Sequence, residues 1–164
     1  MMVVVDPLSN LAGTEQFEAL LAREELRRAR TGEIISVAVL DLDGLRAVNA
    51  RHGAAAGTEM LCRCADSLRH SLRALDELAR TGPDEFSVLL HATDAGSAAI
   101  WAERFEDSLE SSAGAHPAAP VTCAVGIADT AEAPTLMHVA AVARRRMEFV
   151  QTMRKLRRTR ESGT

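Results

Sequence analysis

Apolar and polar positions along this chain fall into two alternating rhythms. Phe17, Leu20, Leu21 and Leu26 recur at helical spacing behind Thr14, a capping residue type, and Gly32 stands where such a helix would end. Residues 34–40 are nearly continuously apolar and β-branched, the pattern of a strand buried on both faces. From about residue 54 to 75, Met60, Leu61, Cys64, Leu68 and Leu72 mark one face of a long helix. Two short strand-like runs, 77–80 and 86–90, flank the turn Thr81-Gly82-Pro83-Asp84, a hairpin signal. Asp94 predicts the cap of a helix over 95–111. A loop at 115–120 and a strand at 121–128 follow. A last helix starts after Pro134 and continues past Arg154, with Val139, Ala143, Met147, Val150 and Met153 on a face that suits core packing and leaves some residues for a dimer contact.

The predicted order is therefore α-β-α-β-β-α-β-α. Because one strand pair is joined by a hairpin, this fits an α/β sandwich with a mixed, mainly antiparallel sheet flanked by helices, not a parallel doubly wound fold. With 164 residues, no repeat and no low-complexity linker, the chain is expected to form one domain over 1–153 and a basic tail over 154–164.

Composition narrows the function classes. Four Phe, one Trp and no Tyr leave few platforms for stacking single-stranded nucleic acid. Three cysteines without CxxC spacing argue against a zinc site or a disulfide framework, and the five histidines are too scattered to be assigned to a metal. The apolar start is short and lacks a basic flank, and no stretch has membrane-spanning length, so a cytoplasmic location is expected. Net charge is −4, but residues 144–164 carry +6, leaving −10 on the rest. Such a basic end is more often a solvated helix than a nucleic-acid or membrane contact.

Candidate chemistry gathers at the strand ends. Asp41 and Asp43 close the buried strand, and Asp84 and Glu85 sit in the hairpin turn. If these strands are neighbours, four carboxylates converge at one end of the sheet. Oxygen ligands of this kind suit Mg²⁺ in phosphoryl transfer, while acidic residues also favour strand ends and turns for purely structural reasons.

Four segments carry a resemblance. Leu40-Asp41-Leu42-Asp43-Gly44-Leu45-Arg46-Ala47-Val48-Asn49 is similar to a DxDxFKxxND motif, and Arg80-Thr81-Gly82-Pro83-Asp84-Glu85-Phe86 to an RxGGDEF signature. Asp6-Pro7-Leu8-Ser9-Asn10-Leu11 resembles DxLTxL, and residues 121–128 resemble VTxSxGIA. In this order and spacing the chain resembles a GGDEF domain of the diguanylate cyclase family. The resemblance implies a nucleotidyl-cyclase-like, ferredoxin-like core. It also implies a homodimer in which two GTP molecules are joined into cyclic di-GMP. By position, Asp41, the Leu42 backbone carbonyl and Asp84 would hold Mg²⁺ when GTP is bound, with Asp84 and Glu85 in the catalytic role. Asp43, Arg46 and Asn49 would belong to the GTP site.

Departures from the motifs fall on substrate-holding positions. Pro83 replaces the second glycine, removing an N–H and fixing φ. Thr58 stands where a guanine-reading Asp is expected, Ala50 follows the base-reading Asn49, and Glu148 takes the place of a phosphate-binding Lys. Arg144, Arg145 or Arg146 compensates if the helix register differs. A second constellation is retained: Arg73-Ala74-Leu75-Asp76 matches the family's RxxD inhibitory site for cyclic di-GMP, and Arg104 matches its second arginine. Arg–Asp pairs are also common on surface helices. The expected function is a degenerate GGDEF domain, catalytically impaired, that binds cyclic di-GMP through Arg73, Asp76 and Arg104 and signals through an unidentified protein partner. The competing readings are an active diguanylate cyclase and an interaction module that needs no nucleotide.

Overall fold

The computed structural model describes residue 6, residues 8–111 and residues 121–161. Its elements run α1 (Thr14–Thr31), β1 (Ile35–Leu42), α2 (Leu45–His52), α3 (Ala54–Ser71), β2 (Glu77–Arg80), β3 (Glu85–His91), α4 (Ala95–Ser111), β4 (Cys123–Asp129) and α5 (Leu136–Glu161). The expected loop at 115–120 lies outside the described residues.

The four strands form one sheet in the order β2-β3-β1-β4, with every neighbouring pair antiparallel. β1 is central, which explains its unbroken apolar run: alternate residues enter different cores. Ala38, Leu40 and Leu42 pack with Phe86 and Val88 against α3 and α4. Ile35, Val37 and Val39 pack with Leu89 and Ala128 against Phe17 and Leu21 of α1 and Val139, Ala143 and Met147 of α5. Two stacked apolar layers, each closed by helices, are what a sheet buried on both faces requires.

Several boundaries differ from expectation for identifiable reasons. Gly13, not Thr14, occupies the cap of α1, its N–H donating to Gln16 Oε1 at 3.0 Å, while the Thr14 hydroxyl reaches the Thr81 carbonyl at 3.2 Å. Helix α2 is additional; with eight residues and only Leu45 buried, it is too short for its periodicity to stand out. Helix α3 stops at Ser71, before the expected residue 75, because Asp76 draws the next segment into a turn. Its Oδ2 accepts the Arg73 N–H at 2.9 Å, and its own N–H donates to the Arg73 carbonyl at 3.0 Å. Leu26, at helical spacing in α1, and Met153, on the apolar face of α5, are exposed, and Val150 is half-buried.

One glycine sets how α5 lies. A Cβ on Gly126 would fall 2.0 Å from the Ala143 carbonyl oxygen and 2.2 Å from the Met147 nitrogen, so β4 and α5 touch backbone to backbone there. From that seat α5 continues as one helix across residue 154 to Glu161. Among the described residues no helix is long and apolar enough to cross a membrane.

Candidate functional site

The hairpin that carries Asp84 and Glu85 is clamped from two sides. Within the turn, the Thr81 and Gly82 N–H groups donate to the Glu85 carbonyl at 3.0 and 3.3 Å. Across it, Arg80 donates to the Pro83 carbonyl at 2.5 Å and to both Asp6 oxygens at 3.0 and 3.1 Å. Asp6 also receives the Ser9 amide at 2.7 Å and hydroxyl at 2.6 Å. Burial works against the charge on Asp6, but the Ser9 and Arg80 bonds outweigh it and hold its carboxyl at about 2. Two segments singled out for their motifs thus meet in one structural clamp.

Strand pairing brings the acids together as expected. Asp41 lies opposite Glu85 in the β1–β3 register, and the Leu42 N–H donates to the Asp84 carbonyl at 2.9 Å. Burial pushes the Asp41 carboxyl up to about 6, reinforced by the charges of Asp84, Glu85 and Asp43. That negative field suits a cation. Among the described residues, however, no group of three His, Cys, Asp or Glu side chains is arranged to hold a metal ion.

Helix α5 instead supplies cationic and amide donors. Arg144 meets Glu85 with two nitrogens at 2.6 and 3.3 Å, and the Thr81 hydroxyl donates to the same carboxylate at 2.6 Å. The Gln151 amide bonds Asp41 Oδ1. Arg154 donates to Asp43 Oδ2 at 2.8 Å, to the Cys123 carbonyl at 2.6 Å and to Glu106 of α4 at 3.2 Å, while Thr122 adds a bond to Asp43 at 3.0 Å. Arg146 pairs with Glu132, away from the acids. Sequence reasoning placed Arg154 in a tail and did not single out Gln151; their roles depend on where α5 crosses the sheet, which no local pattern encodes.

The other GTP-site positions are spread along exposed helix surface. Arg46 and Asn49 are exposed on α2, as are Thr58 on α3 and Glu148 on α5. Asn49 leans on Gly57 so closely that a Cβ there would lie 1.8 Å from its Oδ1. Two of the three free thiols, Cys64 and Cys123, are buried; burial pushes Cys64 up to about 12, so neither offers a thiolate nucleophile.

A second site opens between α3 and α4. This cleft of about 840 Å³ is lined by Arg63, His70, Arg73, Trp101, Arg104 and Phe105, among others. Arg73 and Arg104, 31 positions apart in the sequence, therefore share one cavity. Asp76 does not line it: its two oxygens accept the Arg73 and His91 amides at 2.9 and 3.1 Å. Trp101 was missed, although it is the single Trp and lies three residues before Arg104. Its ring stacks on Phe105 with centroids 5.9 Å apart, and its N–H reaches Ser71 Oγ at 3.2 Å.

The family model described as diguanylate cyclase, GGDEF domain, matches residues 3–155. The chain belongs to the GGDEF domain family. It is similar to the diguanylate cyclase DgcP of Pseudomonas aeruginosa, with 34% identity over 126 residues, covering 76% of this chain and 19% of that protein. The GGDEF domain of TpbB (YfiN) from Pseudomonas aeruginosa superposes with a TM-score of 0.83 at 29% identity, over 92% of this chain and 90% of that one. The GGDEF domain of DgcB from Caulobacter crescentus, solved in complex with c-di-GMP, shares the fold with a TM-score of 0.84 at 21% identity, over 93% and 92% of the two chains. The chain spans less than half the length of the curated relatives it matches.

Proposed function

We propose that this GGDEF domain is a cyclic di-GMP receptor that has given up cyclase chemistry and signals through a protein partner. The observation that supports this most is the α3–α4 cleft, in which Arg73 and Arg104 line one cavity beside the Trp101 and Phe105 rings. Two planar guanidinium forks beside the half-buried Trp101 ring suit a ligand made of phosphates and purine bases. Asp76 would then act by fixing the turn that presents Arg73. Loss of synthesis agrees with Thr58 and Glu148 at substrate-holding positions and with α5 donors on Asp41, Asp43 and Glu85.

A second reading, a diguanylate cyclase acting on GTP, is favoured by the negative field at Asp41. In that reading Asp41, Asp84 and the Leu42 carbonyl would hold Mg²⁺, which would neutralise phosphate charge. Asp84 and Glu85 would serve the reacting groups, and a homodimer would be required.

Calorimetry with cyclic di-GMP separates the readings. Wild type is expected to bind, and Arg73→Ala or Arg104→Ala to weaken binding about a hundredfold, the scale of a lost charge-assisted phosphate contact. Equal heats for wild type and variants, or no heat, would overturn the receptor. Cyclic di-GMP formed from GTP and Mg²⁺, and abolished in Asp84→Ala, would establish the cyclase instead.

A further inference from the structure

The outer face of α5 is the least expected surface of the molecule. Phe149, Met153 and Leu156 are 66%, 41% and 54% exposed, and they stand at i, i+4 and i+7 on one helix. Seven residues of helix place these three side chains in a row about 10 Å long. None contributes to either core cluster. Met153 belongs to the apolar face expected to serve core packing and, in part, a dimer contact; the packing of Val139, Ala143 and Met147 turns it outward.

The residues around this row share one sign. The helical neighbours three and four positions away, apart from half-buried Val150, are Arg145, Arg146, Thr152, Arg157, Thr159 and Arg160, with no carboxylate among them. Arg146 is already paired with Glu132. Arg145 and Arg157 are exposed at opposite ends of the row.

We infer that the Phe149–Met153–Leu156 face of α5 docks into an apolar groove of a partner protein whose rim carries carboxylates. Three anchors at i, i+4 and i+7 are the spacing with which a helix enters a protein groove. A second copy of α5 is the wrong occupant, because antiparallel pairing of this face would set arginines against arginines. An anionic membrane matches the charge but not the area: interfacial binding scales with buried apolar surface, and a single row of three side chains supplies little. The inference goes beyond the nucleotide reading and holds whether or not the α3–α4 cleft binds cyclic di-GMP.

The test uses the full chain with a photo-crosslinking amino acid at Thr152, beside the row, in cells of its source organism. The captured protein is identified, purified and titrated against wild type. The expected result is binding that falls about thirtyfold in Phe149→Glu, as for a buried aromatic anchor, and about tenfold in Arg145→Glu with weakened salt dependence. Both substitutions are at exposed positions, and circular dichroism checks that the fold is kept. No capture, capture of this chain only, or an affinity that ignores Phe149→Glu would overturn the inference. So would Phe149-dependent binding to vesicles of phosphatidylcholine and phosphatidylglycerol, which would make the face a membrane contact.

Discussion

The acid end of the sheet and the α3–α4 cleft carry opposite charge and are treated in opposite ways by the fold. At the acid end, three of four carboxylates have a donor from α5: Arg144 on Glu85, Gln151 on Asp41, Arg154 on Asp43. In the cleft, Arg73 and Arg104 line an open volume of about 840 Å³. Charge collected at one end of a sheet is costly unless something compensates it, whether a ligand or the protein itself. Here a helix compensates the acids, while Arg73 and Arg104 face the open volume of the cleft. The difference teaches that retained carboxylates do not by themselves mark a working metal site; what already bonds them decides.

The largest effect on this contrast is expected from Gly126→Ala. The new methyl would occupy space held by backbone atoms of α5, at 2.0 and 2.2 Å, and backbone cannot swing aside as a side-chain tip can. Lifting α5 should cost roughly 3 kcal/mol or more, read as a lower urea midpoint. Cyclic di-GMP binding should persist under native conditions, because α3 and α4 build the cleft. Unchanged stability would mean that α5 is not seated on β4 as described.

Arg154→Ala probes the acid end alone. It removes the cation shared by Asp43, 9% exposed, and Glu106, and leaves Asp43 with the longer Arg158 pair at 3.9 Å. Discounted for the partial exposure of Arg154, the loss should be about 2 kcal/mol. Arg154→Lys should recover only part of it, since one ammonium cannot span Asp43, Glu106 and the Cys123 carbonyl as a fork does. Millimolar Mg²⁺ should raise the melting temperature of Arg154→Ala more than that of wild type. Equal shifts in the two proteins would show that the guanidinium is not compensating the acids.

Much of the frame was legible in the sequence because it rests on local patterns. The continuous run of β1 announced a central strand, and the Thr81–Asp84 turn announced the hairpin that sets Glu85 opposite Asp41. What stayed hidden depends on long-range placement. The motif put Glu148 at the phosphate position, yet the α5 side chains on the acids are Arg144, one turn before it, and Gln151 and Arg154, one to two turns further along. Asp76 was legible as a partner of Arg73, but not that both its oxygens would be engaged by backbone amides. Helix α2 escaped because eight residues with one buried side chain leave almost no periodicity.

The smallest effect concerns the clamp beneath the hairpin, and pH reads it. The Asp6 carboxyl is held at about 2 against an ordinary 3.8, so its pairing with Arg80 and Ser9 stabilises the folded state fully above the higher value. That contribution disappears as pH falls through about 2, where the folded carboxyl also takes up a proton. Asp6 is 23% exposed, so solvent reduces the term to about 1–2 kcal/mol. Asp6→Asn should lose that amount at neutral pH and lack this part of the acid sensitivity, as measured by urea unfolding across the interval. The loss should loosen the Asp84–Glu85 turn, where Arg80 holds the Pro83 carbonyl, and leave the Arg73–Arg104 cleft unchanged. Hydrogen exchange that quickens equally at both places would show that the acid end and the cleft open as one unit, and the contrast between them would fail.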